Sequence, residues 1–543
     1  MKKTRMGLGS VAVVGAAALV LTGCSSSNGG DSGDAAPSGN ADAIITTNGS
    51  EPQNPLVPSN TTETGGGKII DSIFAGLVSY DAEGATEMDV AESIESDDNQ
   101  LWTVKLKEGQ TFTDGTPVTA ESFTKAWNWA AQISNAQSAS YFFDNIEGYD
   151  AEADSDLSLE VVSDTEFTVM LNAPEADWPL RLGYSAFSPL PESFYDDVDA
   201  FGENPVGNGP YKLEGEGAWT HNQDIKLVTN EDYDGPRTPV NGGLTITFYT
   251  TQDAAYSDVL SGNLDILDQV PDTQFASYES DFPDRFANQP AAIFQSITIP
   301  QYLEHFDGTT EEGKLRRAAI SLAINRDDIT DVIFQGTRTP AKDFTSPVID
   351  GYSEDLEGSD VLDYDADRAK ELWAQAEEIA PYGDTTFTIA YNSDGGHQNW
   401  VDAASNSIAD TLGIKAAGEP KPTFAELLDQ EDNDAMTGAF RSGWQADYPS
   451  LFNFLAPLYQ TGAGSNYGRY TSDEFDGLLS EGAASTSVED ANAKFQEAQE
   501  VLLTDLPVVP LWYSNVTGVW ADTVENVQFG WNSVPLFYEV TKQ

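Results

Sequence analysis

Cysteine occurs once in this 543-residue chain, at Cys24, and histidine three times, at His221, His305 and His397. A single thiol excludes an intrachain disulfide and a multi-cysteine zinc site, and no Cys–His catalytic pair can exist in the chain beyond Cys24. No H-E-x-x-H, G-x-S-x-G or G-x-x-x-x-G-K-[ST] pattern occurs, which removes the commonest metalloprotease, hydrolase and phosphate-loop signatures. Bases are scarce as well: 26 Lys and Arg stand against 89 Asp and Glu, a net charge of −63. That argues strongly against a nucleic-acid surface, which needs clustered cations to displace counterions. It also argues against peripheral attachment to anionic lipid. Long hydrophobic runs are missing too, because the apolar stretch at residues 11–21 is too short to cross ~30 Å of hydrocarbon.

What is present is aromatic. The chain holds 11 Trp, 21 Tyr and 26 Phe, and 40% of it is hydrophobic. Such a chain can bury a large core, and its length predicts three or four domain-sized units at ~150 residues each. Lys2, Lys3 and Arg5 precede the short apolar run, as in a signal peptide. The run ends in Leu21-Thr22-Gly23-Cys24-Ser25, which resembles the bacterial lipobox. Residues 1–23 are therefore expected to be a lipoprotein signal peptide. Cys24 is the expected lipidation site and mature N-terminus. Residues 24–40, rich in Ser, Gly and Asp, read as a lipidated, flexible tether that cannot bury enough apolar surface to order itself. The body is then extracytoplasmic and anchored to the cell membrane by lipid at Cys24.

Periodicity predicts a mixed α/β body. Trp102, Val104 and Leu106 alternate with polar residues, as do Phe167, Val169 and Leu171, and Phe387, Ile389 and Tyr391. Thr119 can cap a helix whose buried face carries Phe123, Ala126, Trp127 and Ala130. Leu315, Ala318, Ala319, Leu322 and Ala323 form a second helical stripe, and Ala369, Leu372, Trp373 and Ala376 a third. A helix from about 400 to 412 is expected to stop at Gly413.

Several stretches resemble one family. These are Ser50-Glu51-Pro52-Gln53-Asn54, Ile73-Phe74-Ala75-Gly76-Leu77, Asp114-Gly115-Thr116-Pro117-Val118-Thr119-Ala120-Glu121, Asn204-Pro205-Val206-Gly207-Asn208-Gly209-Pro210-Tyr211, Arg316-Arg317-Ala318 to Asn325-Arg326, and Arg441-Ser442-Gly443-Trp444-Gln445-Ala446-Asp447-Tyr448. In that order they are similar to the peptide- and oligopeptide-binding proteins of ABC importers, solute-binding protein family 5. The resemblance runs from about residue 44 to about 515. It implies an α/β, two-lobed periplasmic-binding-protein-like fold with an additional inserted domain, three domains in all, that closes by a hinge. The expected first lobe is 41–78, 205–298 and 515–543; the inserted domain is 79–204; the second lobe is 299–514.

The resemblance also implies a function. A monomeric binding protein would capture short peptides and deliver them to ABC-transporter permease subunits, with no catalytic residue, metal or cofactor. Asp447 matches the carboxylate that receives the peptide amino group. Gly443, Trp444 and Gln445 match the strand that pairs with the peptide backbone. Arg441 and His397 match positions that contact ligand carboxylates. Thr64 and Gly65, in an opening loop Thr64-Gly65-Gly66-Gly67, match a first-lobe segment that lies against the peptide. The glycines there, and the lack of Trp near residues 420–424, depart from the oligopeptide pattern and leave pocket shape open. An oligosaccharide or metal chelate in the same fold, or a secreted hydrolase with paired carboxylates, remain alternatives.

Overall fold

Short alternating runs separated by turn residues make sheets, and three sheets carry the architecture of the computed structural model, which describes residues 39–422 and 424–543. Cys24 and the leader lie outside the described residues. The first sheet has seven strands. Ile44–Gly49 is central and runs parallel to Gly243–Phe248 on one side and Ile266–Leu267 on the other. Asp224–Thr229 and Tyr211–Leu213 extend one flank antiparallel, and Val519–Trp520 closes the other. Parallel neighbours need a long crossover. Here the crossover from residue 49 to residue 243 includes the inserted region.

That region holds a four-stranded antiparallel sheet in the order Ala91–Glu95, Leu101–Leu106, Glu166–Met170, Leu159–Ser163. The two predicted strands are neighbours, with Trp102 opposite Val169 and Val104 opposite Phe167. Helix Ala120–Ala131 starts at Thr119, which forms a reciprocal cap with Ser122. Its Trp127 is fully buried against Phe143, Phe167 and Phe187. Burying a ring of this size contributes about 4–6 kcal/mol. One continuous core joins this region to the first sheet, from Ile45 to Val540.

The six-stranded sheet has the order Arg338–Pro340, Val508–Val516, Gln289–Thr298, Ala439–Gln445, Thr386–Asn392, Lys415–Lys421. It has its own apolar core. The predicted strand with Phe387, Ile389 and Tyr391 is parallel to Lys415–Lys421. Helix Gln398–Leu412 connects them and ends at Gly413, whose φ of +70° gives the expected left-handed cap.

Two expectations shift. Gln289–Thr298, grouped from sequence with the first lobe, pairs with Val508–Val516 and Ala439–Gln445 and so lies in the second sheet. The chain passes between the two sheets at 287–288 and 517–518. The stripe at 315–323 is rotated: Leu315 and Ala318 are half-buried, whereas Arg316 and Arg317 are wholly buried. Arg316 stacks on Trp373 and Tyr382 and pairs with Glu312 and Glu377. Arg317 donates to the carbonyls of Phe306, Leu506 and Ile299 at 2.7–2.8 Å. Guanidinium donors met by fixed acceptors can be buried where hydrophobic periodicity would place leucine. Among the described residues no helix is long and apolar enough to cross a membrane.

Candidate functional site

Thr64–Ile73 is a helix, not the loop expected from its glycines. Each glycine costs about 1 kcal/mol of helix propensity relative to Ala. Packing and capping offset this. The Glu63 carboxylate accepts the Gly66 N–H at 3.0 Å. Ile69, Ile70 and Ile73 are buried in the core. Gly65 is pressed on Ser50, where a Cβ would stand 2.3 Å from the Oγ. Gly65 therefore packs away from the cavity described next. At the other end, the Asn204–Tyr211 segment acts as a clamp. Asn208 bonds both the N–H and the C=O of Ala75 at 3.0 Å, and the Gly209 N–H donates to the Ile73 carbonyl at 2.9 Å. A Cβ on Gly207 would collide with that carbonyl at 1.9 Å.

Thr64, Gly67, Lys68, Asp71 and Phe74, spaced by helical turns, line a cavity of about 330 Å³. Gln445, Ala446 and Asp447 form another wall, with Tyr80, Tyr184 and Trp531 between. Tyr80 and Trp531 meet edge to face at 5.5 Å. The cations at this cavity are already matched. Lys68 bonds Asp268 and the Asn48 carbonyl, and Arg237 bonds Asp89.

Asp447 follows the last strand residue, Gln445, after one alanine. Asn453, in the first turn of helix Leu451–Tyr459, fixes it. The Asn453 Oδ1 accepts from the Asp447 N–H at 2.9 Å and from the Trp444 indole at 3.2 Å, and its Nδ2 donates to the Asp447 Oδ2 at 3.1 Å. Burial pushes the Asp447 carboxyl up to about 6, against the pull of Asn453 and of Arg181. Its charge in turn raises Tyr141 and Tyr184, already raised by burial.

Strand Ala439–Gln445 offers a backbone edge beside this carboxylate. It pairs with Gln289–Thr298 along its length but with Thr386–Asn392 only at Ala439 and Phe440. The Ala446 N–H donates to the Ala292 carbonyl at 2.9 Å. By alternation, Trp444 and Ser442 turn their backbone groups to that same neighbour, and Gly443 and Gln445 turn theirs to the other edge.

The sequence-predicted residues thus separate into groups. Asp447, Gln445 and Thr64 share the cavity. Trp444 packs on the second core and bonds Asn453. Gly443 opens on a smaller pocket with Ser296, Tyr459 and Tyr467. Arg441 and His397 form a separate cluster around Asn392. The Arg441 Nε donates to the Asn392 Oδ1 at 2.8 Å, and the guanidinium stacks on Phe424 at 4.7 Å. A Cβ on Gly395 would come within 2.5 Å of the His397 Nε2 and 2.6 Å of the Asn392 Nδ2. The His397 Nδ1 accepts from the Trp400 indole at 3.1 Å, which leaves Nε2 as the nitrogen carrying the proton. Burial pushes the nearby Glu431 carboxyl up to about 8, and Arg441 opposes this.

Sequence reasoning missed Asn453, Asp71 and a buried polar junction. At that junction Arg181 pairs with Glu175, bonds the Tyr448 hydroxyl at 3.2 Å and stacks on its ring. The Ser450 hydroxyl donates to Asp177, whose carboxyl burial raises to about 6. Asp and Arg at such positions look like ordinary surface charges in a chain with 89 acids.

Two α/β cores joined by paired crossing segments, with a cavity walled by both, define a bilobal binding protein. The pattern of the bacterial extracellular solute-binding proteins, family 5 Middle, matches residues 85–466, and the chain belongs to this family of substrate-binding proteins, which are not enzymes. The chain is 23% identical over 527 residues to the oligopeptide-binding protein OppA of Bacillus subtilis, covering 94% of each. It is 27% identical over 491 residues to the periplasmic oligopeptide-binding protein OppA of Salmonella typhimurium, covering 87% of each. Its fold is similar to that of the Haemophilus influenzae OppA complex with RPPGFSPFR, with a TM-score of 0.71, 23% identity and coverage of 93% of this chain and 99% of that one. The Escherichia coli murein tripeptide binding protein MppA gives a TM-score of 0.73 at 20% identity, with 92% and 98% covered.

Proposed function

We propose that this protein captures short peptides between its lobes and hands them to the permease of an ABC importer, held at the outer membrane face by lipid on Cys24. The observation that carries the reading is the Asp447 carboxylate, fixed by Asn453 and facing a cavity at the end of an open strand edge. A half-buried carboxylate in a cleft is suited to an ammonium, because the cation supplies the charge that the site lacks. The edge at Gly443 and Gln445 can accept an extended backbone without reading side chains. At ~3.3 Å per extended residue, a peptide starting at Asp447 and running back along the strand heads toward Arg441 and His397. The Arg441 guanidinium, with the His397 Nε2–H as a second donor, serves as the carboxylate end. Residues 79–204 act as the inserted domain, and the crossing segments near 287–288 and 517–518 act as the hinge.

The relatives' names support a peptide ligand: oligopeptide-binding for OppA and murein peptide-binding for MppA. The test is calorimetry with di- to pentapeptides of one composition, free and N-acetylated. Free peptides are expected to bind, and acetylation or Asp447→Asn to weaken them about 10²–10³-fold. Arg441→Ala and His397→Ala are expected to weaken different lengths most. Equal affinity for free and acetylated peptides overturns the anchor assignment. Equal loss at every length in both variants makes Arg441 and His397 structural.

A further inference from the structure

The cavity holds a second carboxylate that the peptide anchor does not use. Asp71 lies on the cavity face of helix Thr64–Ile73, one turn beyond Lys68. It is exposed, and it lines the cavity. The surrounding protein pushes its carboxyl up to about 6, with Arg237 opposing. Arg237 does not pair with that carboxylate. Its guanidinium goes to Asp89, to the carbonyl of Asp71 and to that of Phe74. The other acids at the cavity have work within the chain: Glu63 caps the helix and Asp81 accepts from the N–H groups of Glu83 and Ala85. Among the described residues, Asp447 and Asp71 are left as carboxylates without a cationic partner in hydrogen-bond contact, and both act on Tyr184.

The cavity beside Asp71 suits a long side chain. A Cβ on Gly67 would meet nothing within 4 Å, so the helix leaves room beside Asp71. Phe74, Val78, Tyr80 and Trp531 supply apolar and aromatic surface for a methylene stem. Aromatic faces also attract a cation.

We propose that Asp71 is a specificity-determining residue that receives the ammonium or guanidinium of a ligand side chain, so that this protein prefers peptides with Lys or Arg close to the amino terminus. The inference rests on the peptide reading above and adds the side-chain class to it. An ion pair at the wall of this half-open cavity is screened less than one on a flat surface, and aromatic neighbours on one side strengthen it further. A basic side chain supplies the missing charge, and an acidic one adds repulsion.

The experiment is calorimetry with Lys-Ala-Ala, norleucine-Ala-Ala and Glu-Ala-Ala, and with Ala-Lys-Ala and Ala-Ala-Lys, on the parent protein and on Asp71→Asn and Asp71→Glu. Norleucine keeps the stem of lysine and removes the charge. In the parent, Lys is expected to exceed norleucine by about 10- to 100-fold at the first or second position and to add little at the third. Asp71→Asn should reduce that ratio to near one, and Asp71→Glu should restore part of it. If parent protein binds all tripeptides equally, the role of Asp71 falls while the peptide reading stands, and this comparison needs no variant to fold. If no tripeptide binds, the peptide reading falls and this inference with it. A simple diamine such as 1,5-diaminopentane binding as tightly as Lys-Ala-Ala also overturns it, since a peptide would then not be the ligand read.

Discussion

Replacing Asn453 by leucine, of similar size, removes the polar hub that holds Asp447 without opening a cavity. Two half-buried donors, the Asp447 N–H and the Trp444 indole, then face methyl groups. Unsatisfied donors cost about 1–3 kcal/mol each when fully buried, and these are half-buried, so the variant should lose about 1–3 kcal/mol of stability in all. The third lost contact is the one to the Asp447 carboxylate, which favours its charged form. With that contact worth about 1.4 kcal/mol, the Asp447 midpoint moves from about 6 to about 7. The ionised fraction then falls from about one half to about one tenth at pH 6, from about nine tenths to one half at pH 7, and hardly changes at pH 8. If only the ionised form holds the peptide amine, the variant binds about fivefold more weakly than the parent at pH 6 and about twofold at pH 7. At pH 8 the two are nearly equal. Titration of the peptide's own amine cancels in the comparison. Calorimetry at the three pH values, with thermal melts to confirm folding, decides it. A loss of the same size at every pH would show that Asn453 acts through shape alone and refute the electrostatic argument.

Four further outcomes are expected. Arg317→Met should lower stability by about 3–5 kcal/mol, read from chemical denaturation, because it strips the carbonyls of Phe306, Leu506 and Ile299 of their shared donor; a loss below 1 kcal/mol contradicts this. The ligand-free protein should melt higher at pH 5 than at pH 7.5, even in 0.5 M salt that screens the surface acids. Asp71, Asp177, Asp343 and Asp447 are all raised to about 6, so the folded state keeps protons that the unfolded chain has released. The stability they add is full below their unfolded values near 3.8 and is lost as pH rises through about 6; a flat profile in salt argues against it. Saturating peptide should reduce the radius of gyration in solution scattering and change tryptophan fluorescence through Trp531, and binding with unchanged dimensions would count against hinge closure. Cys24→Ala should release the protein to the medium or leave an unprocessed precursor, and normal membrane retention would exclude the lipobox.

Much of the fold was legible because local chemistry and tertiary structure agree. Trp102–Leu106 and Phe167–Leu171 alternate and sit half-buried; Thr119 and Gly413 are caps that work as caps. Asp447 was singled out by the resemblance of its motif, and the chain does place it just after a strand and at the cavity. Thr64–Ile73 failed because three glycines signal a loop, while the forces that make it a helix come from Ser50, Glu63 and Asn208, distant in sequence or hidden in geometry. Asp71 went unseen for the same reason, since its position on the cavity face exists only once the helix does. Arg316 and Arg317 were misplaced because a periodicity of apolar residues has no way to register carbonyls waiting 11 and 189 residues away. The pairing of Gln289–Thr298 with Val508–Val516 spans more than 200 residues and leaves no local trace.

The helix that carries Asp71 is pinned at both ends, by the Glu63 cap and by the Asn208–Gly209 clamp on Ile73 and Ala75. Its backbone therefore has little freedom to lose when a ligand arrives. Preorganisation of this kind leaves more of the contact energy to appear as affinity. It also divides the labour of recognition. Variation among ligands has to be absorbed by side-chain rotamers and by water, which rearrange within nanoseconds, while the backbone frame stays as it is in the empty cleft. A receptor built this way is expected to distinguish charge sharply and side-chain shape only loosely. Changing its taste would then require exchanging one or two residues on a rigid wall, with no redesign of the lobe behind it.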